Sequence, residues 1–427
     1  MFKKATIMAA TITHIDSKKI KVEVEITLSS SMLETEENIQ SALNDCGNIV
    51  TKEFLSAFDT DGSPISIGNE KFTSKGKVSK NYQTPYNEIN IDRHVYQSSN
   101  GGKVYCPMEK DARIIVGSTP KFAKQISSKY SDLGSSRVQK DLEENHGRHI
   151  SREFIRNLSE AVSDVIIEKE KHWSYCPPID AKYVHSVGVG LDGTCMYLSN
   201  DGWRIAMVGT IALYNKEGDR LYTQYTASPP EYGKNEFCEN FTHDIRNIKE
   251  LYPSAIYTGV ADGAKDNWTY LEEHTENQTL DFYHATEYVS KVGEVVFRSK
   301  VKRKSWFTKS CHILKHEKDG AALLLKEMHV YLDKKHSEKK KEILQRSITY
   351  FTNHLHKMNY SEYLERKLPI GSGITEAACK VIIKQRLCNS GMKWKDDGAR
   401  SVLCLRCINY SGDKWGQTWK RLSKAGF

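Results

Sequence analysis

The hydrophobic pattern changes period several times along the chain. Between His185 and Leu191 apolar residues fall at alternate positions with glycine between them, the period of a strand that other backbone approaches closely. Trp203–Leu213 and Asp219–Thr226 read as two further strands, joined by a hairpin at Asn215-Lys216-Glu217-Gly218. The period then becomes helical: Phe237, Phe241, Ile245, Ile248 and Leu251 share one side of Glu236–Leu251. Ala255–Ala261 predicts a buried strand, Asp266 opens a helix through Trp268 to Glu273, and Thr279–Tyr283 predicts another strand that ends at His284. Helices follow over Ala321–Leu332, Glu338–His356 and Tyr360–Arg366. Pro369–Gly373 is a turn, and Thr375 opens a helix without a breaker until Asn389-Ser390-Gly391. Ser401–Trp419 predicts a closing helix, with Val402, Leu405, Ile408, Trp415 and Trp419 packing.

Ahead of this lies a less regular region. Lys21–Leu28 alternates as a half-exposed strand, and Ser31–Leu43 favours helix. Ser63–Lys80, rich in Gly, Ser and Lys, predicts a loop, and Ile89–Gln97 and Gly102–Pro107 a small sheet. Three helical segments follow at Pro120–Tyr130, Ser136–Asn145 and Ser151–Glu170, with Ser135 or Ser136 and Ser151 as N-caps. Tight links, with Arg148, Arg152 and Arg156 at the start of the third, give this stretch a helix-turn-helix look; the other reading is a helical linker bundle.

The chain has 427 residues, enough for two or three domains. No apolar run reaches about 18 residues, so no membrane partner is expected. Met1–Lys4 followed by Ala5–Ile12 is too short and too interrupted by threonine for a signal peptide. Ten cysteines without framework spacing fit a reduced, cytoplasmic setting, and Cys404 and Cys407 lie in an apolar helical run that predicts core packing. The net charge is +8, and residues 361–427 hold 13 Lys and Arg against 6 Asp and Glu, so the excess surrounds Glu376. A second basic cluster holds Arg298, Lys302 and Arg303, interleaved with Phe297, Trp306 and Phe307. It reads either as a contact for phosphates and unstacked bases or as a solvated helix face.

Three carboxylates carry the candidate chemistry. Asp192 closes the first strand of the core, Asp262 follows the fourth, and Glu376 sits in the first turn of the late helix. Singly, each Asp-Gly pair is a turn former and Glu376–Lys380 a solvated i, i+4 pair. The order strand–strand–strand–helix–strand–helix–strand, with acids at these places, is that of an RNase H-like nucleotidyltransferase core, and such acids hold hard divalent ions. The fold class expected is therefore α/β: a mixed sheet with flanking helices over 182–290, a helical insertion over 291–367 and a final core part over 368–427. A helical DNA-binding or linker region over 119–171 and a small α+β region over 1–118 precede it.

The stretches VGVGLDGT (Val187–Thr194), GVADGAKDNW (Gly259–Trp268), DFYHATEY (Asp281–Tyr288) and PIGSGITEAACKVIIKQRLCNSGMKW (Pro369–Trp394) give the chain a resemblance to the transposases of the ISKra family of bacterial insertion sequences, relatives of the Mutator-like group. It extends from about Lys71 to the C-terminus, and the last motif is long and specific. The resemblance implies that Asp192, Asp262 and Glu376 form a DDE triad holding two Mg²⁺ or Mn²⁺ ions, and that Asp281 and His284 form the family's D-x-x-H element. His284 would then contact the scissile phosphate or orient water; its other reading is a core histidine. The implied partner is double-stranded DNA, as terminal inverted repeats and target, with a homodimer or higher oligomer assembled on it in the bacterial nucleoid. Trp268, Lys380, Lys384 and Arg386 join the basic residues above as expected DNA contacts. Two other functions fit the same residues: an RNase H-like nuclease or resolvase without strand transfer, and a non-catalytic DNA-binding protein.

Overall fold

Ala10–Ile15 (β1) and Ile20–Val24 (β2) pair antiparallel ahead of a long helix, Met32–Ser56 (α1), capped by the Ser31 side chain. Ile65–Ile67 (β3), Glu70–Gln83 (β4), Glu88–Ser98 (β5) and Gly101–Tyr105 (β6) form an antiparallel sheet in that order. The loop expected over Ser63–Lys80 is thus strand. Phe72, Val78 and Tyr82 are the scattered apolar residues of β4, so it shows no sustained hydrophobic period; pairing along its length with β5, and Tyr82 in the core beneath, hold it. Pro107–Asp111 (α2) leads to the three expected helices at Pro120–Asp132 (α3), Ser135–His146 (α4) and Arg152–Glu170 (α5). The described residues are 10–16, 19–231 and 234–425 of this computed structural model, so most of the Met1–Ile12 segment lies outside them.

The second half is a mixed α/β assembly. Ser186–Leu198 (β7), Gly202–Tyr214 (β8) and Arg220–Ser228 (β9) form an antiparallel meander. Asn235–Leu251 (α6) then leads to Ile256–Ala261 (β10), Lys265–His274 (α7) and Asn277–Leu280 (β11). β10 pairs parallel with β7, and β11 parallel with β10, giving the order β11-β10-β7-β8-β9. Asp192 does not end its strand as expected: β7 runs six residues further, because Asp192 and the residues after it pair with β8 as far as Leu198↔Gly202.

Strand parity sorts what each face meets. Val187, Val189 and Leu191 turn into the main core with Phe237, Phe241, Ile245 and Ile248 of α6. Gly188 and Gly190 turn the other way, toward Pro369 and Thr375. A Cβ on Gly190 would lie 2.2 Å from Thr375 Oγ1, so the close approach that glycine implied is a real one.

Phe282–Val296 (α8), Lys300–His316 (α9), Gly320–Leu332 (α10), Glu338–His354 (α11) and Tyr360–Glu365 (α12) separate β11 from the late helix. Their buried faces share one core with the sheet through Leu314, Leu324, Met328, Leu344 and Phe351, so residues 291–367 have no separate core. The late helix is α over Gly373–Ala378 (α13), widens to π over Cys379–Lys384, and ends as Gln385–Leu387 (α14). The single closing helix expected at Ser401–Trp419 is two, Asp396–Tyr410 (α15) and Lys414–Ala425 (α16), because Gly412 takes a left-handed φ of +55° between them. One compact unit joins the chain up to Lys169 with the segment from Gly416; the other is Glu170–Trp415.

Candidate active site

The site is built where β7, β10, α8 and α13 come together. Asp192 follows Gly188 and Gly190 at the same parity, so its carboxylate faces the late helix. Its Oδ1 accepts from the Gly193 N–H at 2.6 Å, and the Cys379 thiol, 3.6 Å away, donates to Oδ2. Burial pushes the Asp192 carboxyl above its ordinary value and the charge of Asp262 adds to this; the Gly193 N–H and His284 oppose it. Burial and then Asp192 push the Cys379 thiol up to about 12, so it stays protonated and able to donate. Asp262 leaves β10 and turns its Oδ1 to the Ala264 N–H at 3.2 Å, and the Tyr350 hydroxyl donates to its carbonyl at 2.9 Å.

Asp281 is the fully buried member. It is the N-cap of α8 and accepts from the His284 N–H at 2.6 Å. Its other oxygen accepts from the Ser372 N–H, ninety-one residues on, and the Phe282 N–H donates to the Ile370 carbonyl at 3.0 Å. One carboxylate therefore ties the D-x-x-H segment to the turn before Glu376. His284 lies not at the end of a strand but in the first turn of α8, because β11 stops at Leu280 and the Asp281 cap starts a helix. It is half-buried rather than a core histidine. Its Nε2 lies 3.6 Å from Glu376 Oε1, which also accepts from the Ser372 hydroxyl at 3.2 Å.

Among the described residues, the group of possible ligands whose atoms lie within 4.8 Å of one another is Asp281, His284 and Glu376. Asp192 and Asp262 stand beside this group, not in it. Both oxygens of Asp281 accept backbone N–H groups and its side chain is fully buried, which gives it a positioning role. Asp192, Asp262 and the exposed Glu376 offer further hard-oxygen donors to a cation.

The expected DNA contacts divide by burial. Lys380 and Lys384 are exposed on the late helix, as are Arg152, Arg156, Arg298 and Lys302, and Arg303 is half-buried. Three others are corrected. Arg148 is buried, donating to the Thr84 carbonyl and, at 2.7 Å, to Gln83 Oε1. Arg386 is buried with its guanidinium 5.2 Å from the centroid of Trp394. Trp268 is buried beneath the Lys357 ammonium. The aromatics of the second cluster also turn inward: Trp306 donates to Glu327 Oε1 at 2.9 Å and packs on Phe297, leaving the basic side chains a solvated face.

Sequence reasoning missed two supports. Thr375 and Thr210 share a buried hydroxyl–hydroxyl hydrogen bond of 2.8 Å across the Gly190 approach. Arg406, 2% exposed, donates to the Ile382 carbonyl at 3.0 Å and the Val381 carbonyl at 2.5 Å, both within the π-widened stretch. A lone arginine inside the apolar run Val402–Ile408 was the available signal.

No family model matches the chain, and no curated protein matches it. No helix among the described residues is long and apolar enough to cross a membrane.

Proposed function

We propose that this protein is a metal-dependent DNA transposase of the DDE type, with Asp192, Asp262 and Glu376 as its triad. The observation that supports the reading is a shared neighbourhood: Cys379 lies 3.6 Å from Asp192 and feels the charges of both Asp192 and Glu376, and the charge of Asp262 acts on Asp192. Burial is the main cause that raises the Asp192 carboxyl, and the charge of Asp262 adds to it. A raised acid beside a second acid, both open to a third that is exposed, is a site that a cation relieves.

The topology supports the same reading. Numbered in sequence within the sheet, the strands run 3-2-1-4-5 with the second antiparallel, the arrangement of an RNase H-like core. The helical insertion falls between the second acid and the Glu, as the motif resemblance requires. Mg²⁺ or Mn²⁺ fits the donors, and when bound it supplies an activated water and stabilises a leaving 3′ oxygen. The chain's own residues set the frame. Asp281 fixes the turn before Glu376, and Cys379 keeps one Asp192 oxygen oriented. His284, beside Glu376, is placed to orient a phosphate or water. Lys380 and Lys384 bring positive charge to the acidic site, as a polyanionic substrate needs. Arg152 and Arg156 on α5 are the end-binding candidates in the first unit.

The test uses purified protein and a labelled duplex made from the DNA at the ends of the element that encodes it, identified by an inverted repeat on either side of the gene, with Mg²⁺ or Mn²⁺ against EDTA; absence of such repeats counts against the reading. Nicking at the repeat end requires the metal and falls below detection in Glu376→Gln and Asp192→Asn, while duplex binding persists. Nicking that survives both substitutions, or metal-independent nicking, overturns the triad. Nicking without joining to a target duplex selects the nuclease reading instead.

A further inference from the structure

A cleft in the second unit, about 1460 Å³ in volume, is walled by α8 and α11. It begins beside the candidate site, since Tyr350, on its wall, is the residue that donates to the Asp262 carbonyl. Tyr350 and Tyr288 stack face to face, with centroids 3.8 Å apart and planes 11° from parallel. The Lys291 ammonium, one helical turn on, lies 4.4 Å from the Tyr288 centroid. Two of the cleft's glutamates are paired on the wall, Glu338 with Lys341 at 3.3 Å and Glu342 with Arg346 at 2.5 Å. Glu294 also lines it. Lys291 and Lys339 are exposed and make no ion pair within 4 Å among the described residues.

We propose that this cleft binds unpaired nucleotides of a DNA strand leaving the candidate active site, with Tyr288 as the stacking platform and Lys291 as the phosphate contact. The proposal rests on the nucleic-acid reading above and names a ligand subsite for it. A ring in a cleft accepts the face of a base, and a paired base inside a duplex has no free face to offer. The platform is built in advance, because the Tyr350 stack fixes the inner face of Tyr288. The Lys291 ammonium, on a flexible side chain, lies over the ring at 4.4 Å from its centroid. An incoming base takes that place, and the displaced Lys291 pairs with the phosphate of the same nucleotide. Lys339 extends the positive wall along the backbone.

The experiment uses the full chain and a short single-stranded oligonucleotide of arbitrary sequence with the fluorescent base aminopurine at one internal position. A blunt duplex of the same sequence is the comparison. Wild-type protein quenches the single strand's fluorescence on binding, and the affinity falls with salt. Tyr288→Ala loses the quenching and weakens single-strand binding roughly tenfold or more, with duplex affinity unchanged. Tyr288→Phe retains both, since the face and not the hydroxyl is used, and so reports on folding. Lys291→Glu weakens single-strand binding while Lys291→Arg preserves it. Absence of single-strand binding by wild type, or binding unchanged in Tyr288→Ala and Lys291→Glu, overturns the proposal. Metal-dependent nicking run on the same wild-type preparation separates the two readings. Nicking with unchanged oligonucleotide binding removes the cleft alone; variant-sensitive quenching without nicking keeps the cleft and removes the catalytic assignment.

Discussion

At the scale of single residues the most consequential side chain is Asp281, which belongs to the D-x-x-H element but takes no exposed position. Its carboxylate satisfies the N–H groups of His284 and Ser372. Asp281→Ala leaves two donors unpaired, one buried and one part-buried, a loss of about 2–6 kcal/mol at about 1–3 kcal/mol each. Chemical denaturation reads this directly, and a loss below about 1 kcal/mol would show that the bonds are replaced by water. Asp192, Asp262 and Glu376 stood out in the sequence through Asp-Gly steps and a helix start, which are local signals, although Asp192 lies inside its strand and not at its end. The tie from Asp281 to Ser372 did not stand out, since nothing local announces a bond across ninety residues. Burial was equally hidden: Arg148, Arg386 and Trp268 carry the residue types of a nucleic-acid contact, yet the fold turns them inward.

At the scale of elements, the late helix and the N-terminal sheet each rest on one charged group. The π widening of Cys379–Lys384 is held by the Arg406 guanidinium. Arg406→Leu removes the donors from two carbonyls and costs about 2–4 kcal/mol. Hydrogen exchange over residues 376–387 accelerates in that variant, and cleavage slows with little change in duplex affinity; Arg406→Lys, able to reach one carbonyl, falls between. Against the β3–β6 sheet, Glu109 of α2 accepts from Lys80 at 2.8 Å and Tyr82 at 2.6 Å, with Arg93 3.5 Å away. Burial acts to raise its carboxyl, but those bonds and charges outweigh it and hold the group below its ordinary 4.5. A depressed carboxyl stabilises above its unfolded value and loses that contribution as pH falls through the folded one. The melting temperature of wild type therefore declines more steeply than that of Glu109→Gln below about pH 4.5, and the two curves converge in stronger acid; parallel curves would remove Glu109 from the account. Periodicity located most helices and four of the five core strands within a few residues; it stopped β7 short and gave no sign of α8 or α9. It also failed at β4, held by backbone pairing without a sustained apolar period, and at the π widening, which has no sequence period of its own.

At the scale of the whole molecule, the second unit is inserted within the first, whose parts lie before Glu170 and after Trp415. Trp419 and Leu422 on α16 are buried, so the closing segment contributes apolar surface and not only a tail. A chain ended after Trp415 keeps the protection of β7, β8 and β10 in hydrogen exchange, while α3–α5 exchange faster; unchanged exchange in α3–α5 would show that the first unit closes without it. The expected division into five consecutive segments missed this arrangement, because composition and turn signals mark where a chain bends and not where it returns. The return gives translation an unusual order. A ribosome delivers the first unit's opening residues before any of the second, yet the last helix of that unit emerges only after the second unit has been made. The first unit waits incomplete throughout, within reach of chaperones and proteases, and its closure reports that the message was read past residue 415.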